Sequence, residues 1–202
     1  MLGGLPQTLK VNGKSYPINS DYRNILQIIS AYADPELKDE EKVYILLRRI
    51  YQKSFRDIPA EDYADAVRVA NHFIECENDH DDRPSPRVVN WEKDEQLIFP
   101  AVNKAAGMEI RSVPYMHWWT FYGYFQNIDP EGTWGFILTL RSKKAKGKKL
   151  EKHEKEFWKA NRLLCAIDRP KEIKGAKNRL DSIFDDLMAE AEQEGGEKSD
   201  GE

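Results

Sequence analysis

The chain has 202 residues, 40% hydrophobic and 11% aromatic, which is enough to bury a core and excludes wholesale disorder. Lys and Arg number 31 against 35 Asp and Glu, a formal net charge of -4, which excludes a surface uniformly coated in positive charge. A mean hydropathy of -0.72, with no apolar run near the ~18 residues a membrane helix needs, excludes a transmembrane span. The N-terminus lacks the basic and apolar regions of a signal peptide, so the expected compartment is a cytosol, where Cys76 and Cys165 read as free thiols.

In chain order, two short alternating runs flank Asn12 and Gly13, the pair that best supplies two positive φ values, and predict a β-hairpin over 8–18. Asn19, Ser20 or Asp21 then caps a helix with the stripe Ile25, Leu26, Ile28, Ile29 and Tyr32, stopped by Asp34 and Pro35. Asp39 is the expected cap of a second helix reaching about Tyr51, with Val43, Leu46, Leu47 and Ile50 on its buried side. Pro59, Glu61 and Asp62 open a third, whose buried side is Tyr63, Ala66, Val67, Ala70, Phe73 and Ile74 and which fades near Cys76.

Residues 77–87 combine turn formers, like charges and prolines, and predict a linker or long loop. It divides a hairpin-plus-helical half at 1–76 from an aromatic-rich helical half at 88–168, with a C-terminal helix and acidic tail over 169–202. A helical pattern resumes at Trp91 and ends at Gly107, with a kink expected at Pro100. A helix over 114–128 is apolar almost all round and must be covered by its own domain or by a partner. Further helices are expected over 133–144, 151–167 and about 176–193, the last before a disordered acidic end. The fold class is therefore mainly α, a multi-helix globular protein with a short N-terminal β-hairpin.

Few residues carry a signature of chemistry. His72, Cys76 and His80 are spaced four and four apart, which suits a zinc shell, but no fourth ligand is in place and the bland reading, a surface His and a half-buried Cys, is favoured. Asp79, Asp81 and Asp82 lack the Gly and terminal Glu of a calcium loop. His117, among aromatic neighbours and without a nucleophile signature, reads as a hydrogen-bonded core residue. With no phosphate loop or paired-Cys motif, neither an enzyme nor a cofactor is expected.

Charge is more informative. From Arg141 to Arg162 ten cations face three carboxylates; Arg141, Lys143, Lys144, Lys146, Lys148 and Lys149 form the densest part. Such a run can bind nucleic acid in a salt-dependent way. From Asp181 to Glu202, however, nine carboxylates face one lysine, so mutual neutralisation, within the chain or between copies, is favoured over nucleic acid.

Four pieces in order then carry a family resemblance: the segment 9–18 followed by Asn19, Asp21, Tyr22 and Arg23; the group Asn90, Trp91 and Asp94; the string Tyr115, Met116, His117, Trp118, Trp119 and Phe121; and Arg141 ahead of the basic segment. Across residues 8–168 the chain resembles the tail assembly chaperones of long-tailed phages and prophages of Gram-positive bacteria, encoded just before the tape measure protein. The resemblance implies a non-enzymatic protein of the host bacterial cytoplasm, absent from the mature virion. It would coat the tape measure protein until tail tube subunits displace it, with self-association and without a membrane partner. Trp118, Trp119, Phe121, Tyr122 and Phe125 are the expected client-binding residues, although an aromatic stripe serves equally well as core.

Overall fold

The computed structural model describes residues 3–77 and 86–167. Asn12 and Gly13 adopt φ values of 42° and 88°, which turns β1 (Thr8–Val11) back onto β2 (Lys14–Pro17) in antiparallel register, Leu9 opposite Tyr16. Strand alternation sends Leu9, Val11 and Tyr16 inward.

Asp21 caps α1 (Tyr22–Ala33), its Oδ1 accepting the Arg23 N–H at 2.9 Å, and Ile25 and Ile28 are fully buried. Asp34, ahead of Pro35, is extended and ends the helix. In α2 (Asp39–Tyr51) the expected cap shifts by one residue. Asp39 is the first helical residue, while the preceding Lys38 N–H is met by the Glu41 carboxylate at 2.8 Å, the reciprocal half of a capping box. Val43, expected on the buried side, is exposed instead; the buried face is Leu46, Leu47, Ile50 and Tyr51. A 3-10 turn at Ala60–Asp62 leads into α3 (Tyr63–Ile74), which buries Ala66, Ala70 and Phe73.

Helix α4 (Glu95–Ala106) starts four residues later than expected from Trp91. Residues 91–94 form a turn in which the Asp94 N–H donates to the Asn90 carbonyl at 2.8 Å and the Asp94 Oδ2 accepts the Asn90 N–H at 2.9 Å. Pro100 lies exposed within α4, which continues through it at the cost of one backbone bond. The helix expected over 114–128 is also shorter: α5 spans Trp118–Gln126, because His117 is extended and pairs with Asp21 in an antiparallel bridge. Helix α6 (Thr133–Ala145) makes a tight approach in its first turn at Gly135, where a Cβ would run into the Asp129 carbonyl oxygen, so only glycine fits. The single helix expected over 151–167 is two, α7 (Lys152–Ala160) and α8 (Arg162–Cys165). They break at Asn161, whose φ and ψ of -118° and 38° are not helical and whose Nδ2 donates to the Phe157 carbonyl.

The described residues are thus mainly helical with one hairpin. Elements before and after residues 78–85 contribute to one hydrophobic cluster, in which Val11, Ile25, Ile50 and Phe73 join Ile98, Trp118, Phe121 and Ile137. The Tyr22 ring stacks on Phe121, with centroids 4.5 Å apart and planes 3° from parallel. Among the described residues no helix is long and apolar enough to cross a membrane. The helix expected over 176–193 and the acidic end lie outside the described residues.

Candidate functional site

The aromatic string divides between core and surface according to how its first turn is anchored. The Tyr22 N–H donates to the Met116 carbonyl at 3.0 Å and the Trp118 N–H to the Ser20 carbonyl at 2.7 Å, so residues 116–118 run alongside 20–22. His117, 2% exposed, caps α5 through Nδ1, which accepts the Trp119 N–H at 3.0 Å, and its Nε2 is 2.9 Å from the Pro6 carbonyl. The first bond requires an unprotonated Nδ1, so the ring is neutral with its proton on Nε2, donated to Pro6. Burial lowers its pKa from the ordinary 6.5, and the Pro6 bond only partly opposes this. Both nitrogens are committed to structure, leaving neither for a base. The unfolded state therefore binds this proton more readily. Unfolding free energy is expected to fall between about pH 7 and pH 5, by no more than about 1.4 kcal/mol per pH unit for one proton, and the slope should flatten in His117→Asn. Urea titrations across that range check this.

The two indoles do structural work as well. Trp118 Nε1–H donates to the Ile74 carbonyl at 2.7 Å and Trp119 Nε1–H to the Phe73 carbonyl at 2.9 Å, satisfying the C-terminal end of α3. Trp118 and Phe121, both sequence candidates for client binding, are closed off in the core at 1% and 0% exposure. Trp119 and Tyr122 are half-buried, and Phe125, also half-buried, packs on Trp91 with centroids 4.9 Å apart.

Arg141, expected in the basic surface, is buried instead. Its guanidinium takes Asp94 in a two-pronged ion pair, Nη2 to Oδ1 at 2.8 Å and Nη1 to Oδ2, with both side chains 2% exposed. Its other bonds go to the carbonyls of Val88 (3.0 Å), Leu164 (2.7 Å) and Cys165 (3.0 Å), so all five N–H groups are used. A charge read as part of a basic run is the clasp joining α4, α6, α8 and the segment before α4.

The rest of the basic run is distributed. Lys143 pairs with the nearly buried Glu154, which holds the Glu154 carboxyl below its usual range and pushes the Lys143 ammonium up. Lys144 Nζ lies 4.0 Å above the Trp158 ring, a cation–π contact. Lys146, Lys148 and Lys149 are exposed.

One aromatic candidate, Phe125, and three of the basic ones meet in one place, away from Trp118, Trp119, Phe121 and Tyr122. Val88, Val89, Phe125 and Leu138 form the floor of a groove of about 400 Å³ whose rim carries Ser142, Lys143, Lys146 and Lys148. It is apolar at the base and cationic at the edge, a geometry suited to an amphipathic segment with acidic flanks. Sequence reasoning missed Val88, Val89 and Leu138, because nothing in their spacing shows that Arg141 draws residue 88 against α6. A second cleft, of about 920 Å³, lies between the C-terminal end of α1 and Trp91, Glu95 and Phe99, with charges of both signs on its walls.

Of the zinc candidates, His72 is exposed and His80 lies outside the described residues, as do Asp79, Asp81 and Asp82. Among the described residues no group of three or more metal-binding side chains forms. Cys76 donates to the Ile74 carbonyl, and burial pushes its thiol up to about 11, away from reactivity.

No curated protein and no solved structure matches the chain. A family described as Bacteriophage Gp15 protein matches residues 2–165, which takes in every described element from the hairpin to α8. The chain belongs to this bacteriophage protein family.

Proposed function

We propose that the protein is a non-enzymatic tail assembly chaperone that holds the tape measure protein until tail tube subunits replace it. The observation that supports this most is the groove at Val88, Val89, Phe125 and Leu138 with the exposed Lys146 and Lys148 on its rim. A tape measure chain is long and helical, and its apolar stripe needs a floor of this kind; a cationic rim attracts acidic flanks and permits release. Weak contacts repeated by many copies along one client would sum by avidity.

Co-expression with the tape measure protein of the same phage or prophage tests the reading, scored by client solubility and by size-exclusion chromatography with light scattering. The expected result is a soluble complex with several copies of this chain per client, and about tenfold less co-purified client with K146E/K148E, whose side chains are exposed. An insoluble client and a chain that elutes alone overturn it. The nucleic-acid reading of the basic segment has less support, since Arg141 and Lys143 are spent on internal ion pairs.

A further inference from the structure

The sequence outside the described residues contains a segment that matches the groove. Between Leu180 and Glu194 there are six carboxylates and no cation, and Leu180, Ile183, Phe184, Leu187 and Met188 recur at the spacing of one helical face. On that face the apolar stripe is flanked by Asp181 and Asp185 on one side and Asp186 and Glu190 on the other. The groove presents the inverse: an apolar floor of Val88, Val89, Phe125 and Leu138, with Lys146 and Lys148 exposed at its edge.

The chain also leaves the described part beside this groove. Arg141 holds the carbonyl of Val88, a groove wall, with the same guanidinium that holds the carbonyls of Leu164 and Cys165. Lys93 Nζ holds the next carbonyl, Ala166, at 2.6 Å. From Ile167 to Leu180 the thirteen intervening peptide units reach up to about 43 Å when extended, more than enough to return to the groove. A tether this short gives an effective concentration on the order of 1 mM, so even a weak match is well occupied.

We propose that residues 180–194 of the same chain occupy this groove, with Phe184 and Leu187 against Val89, Phe125 and Leu138 and their acidic neighbours over Lys146 and Lys148. A client helix would then have to displace a built-in competitor. That last consequence rests on the chaperone reading; occupancy itself does not.

The test uses the full-length protein without client, as an equal mixture of isotopically labelled and unlabelled chains, treated with a zero-length carbodiimide crosslinker and read by peptide mass spectrometry. The expected products join Lys146 or Lys148 to Asp185, Asp186 or Glu190 within a single isotope, and fall about tenfold in F184D/L187D, whose changes lie outside the described fold. Products of mixed isotope would assign the groove to a second copy and overturn the intrachain occupant. So would unchanged yields in F184D/L187D, products spread equally over exposed lysines elsewhere such as Lys10 and Lys53, or no product. None of these outcomes bears on client co-purification, so the two readings fail separately.

Discussion

Arg141→Ala should destabilise the protein by about 3–5 kcal/mol, the cost of leaving one member of a buried ion pair behind. Asp94 would be left without its cation in a site 2% exposed to water, and the carbonyls of Val88, Leu164 and Cys165 would lose their donor together. Domains of this size are stable by only about 5–15 kcal/mol, so the loss is a large fraction of the total. Arg141→Lys should recover little, because a single ammonium cannot span both Asp94 oxygens and reach three carbonyls. The double variant R141M/D94L separates the contributions: it removes the stranded charge but leaves the carbonyls orphaned, and should lie between wild type and R141A. Urea denaturation followed by far-ultraviolet circular dichroism measures all four proteins. A wild-type midpoint for R141A would refute the clasp.

Trp118→Ala should cost a similar amount, about 3–5 kcal/mol, through a different mechanism. The indole fills a site 1% exposed, lies against Phe121 and Tyr122 with centroids 5.7 and 5.5 Å away, and satisfies the Ile74 carbonyl. Alanine leaves a cavity and takes the stronger of two donors from the Ile74 carbonyl, which keeps the Cys76 thiol. Trp118→Phe retains most of the ring volume and should lose only about 1–2 kcal/mol, chiefly the hydrogen bond. Trp119→Ala, at a half-buried position, should fall below Trp118→Ala. The ranking of the three midpoints is the check; equal losses at 118 and 119 would contradict the division of this string into core and surface.

These two residues also mark what a sequence can and cannot reveal. The hairpin was legible because Asn12 and Gly13 supply a local backbone requirement that little else satisfies. Helices α1 and α3 were legible because a cap, or a proline four residues ahead of the helix, preceded a clear apolar stripe, although α3 itself starts only at Tyr63, after the 3-10 turn that Pro59 opens. The start of α5 was not, since its cap is a histidine and the residues around it are too uniformly apolar to show a period; its limit is set by the pairing of His117 with Asp21, a contact 96 positions away. Arg141 was misassigned for the same reason. Its neighbours are cationic, so the local sequence reads as a solvated run, whereas its partner Asp94 lies 47 residues earlier. Phe125 and the lysines of the groove were legible as residue types, but their convergence with Val88, Val89 and Leu138 depends on that same long-range ion pair.

The run of residues 116–118 alongside 20–22 has a consequence for synthesis. The hairpin and α1 cannot complete their packing until Trp118 and Phe121 have left the ribosome, since Tyr22 stacks on Phe121 and α3 has its last carbonyls met by the two indoles. At roughly 5–20 residues per second the growing chain spends seconds with the parts of α1 and α3 that meet α5 uncovered, and longer before Cys165 arrives to take its place on Arg141. Folding of the first half is therefore timed by translation of the second, and a ribosome stalled between the codons for Ile74 and Trp118 would hold out an unfinished apolar surface.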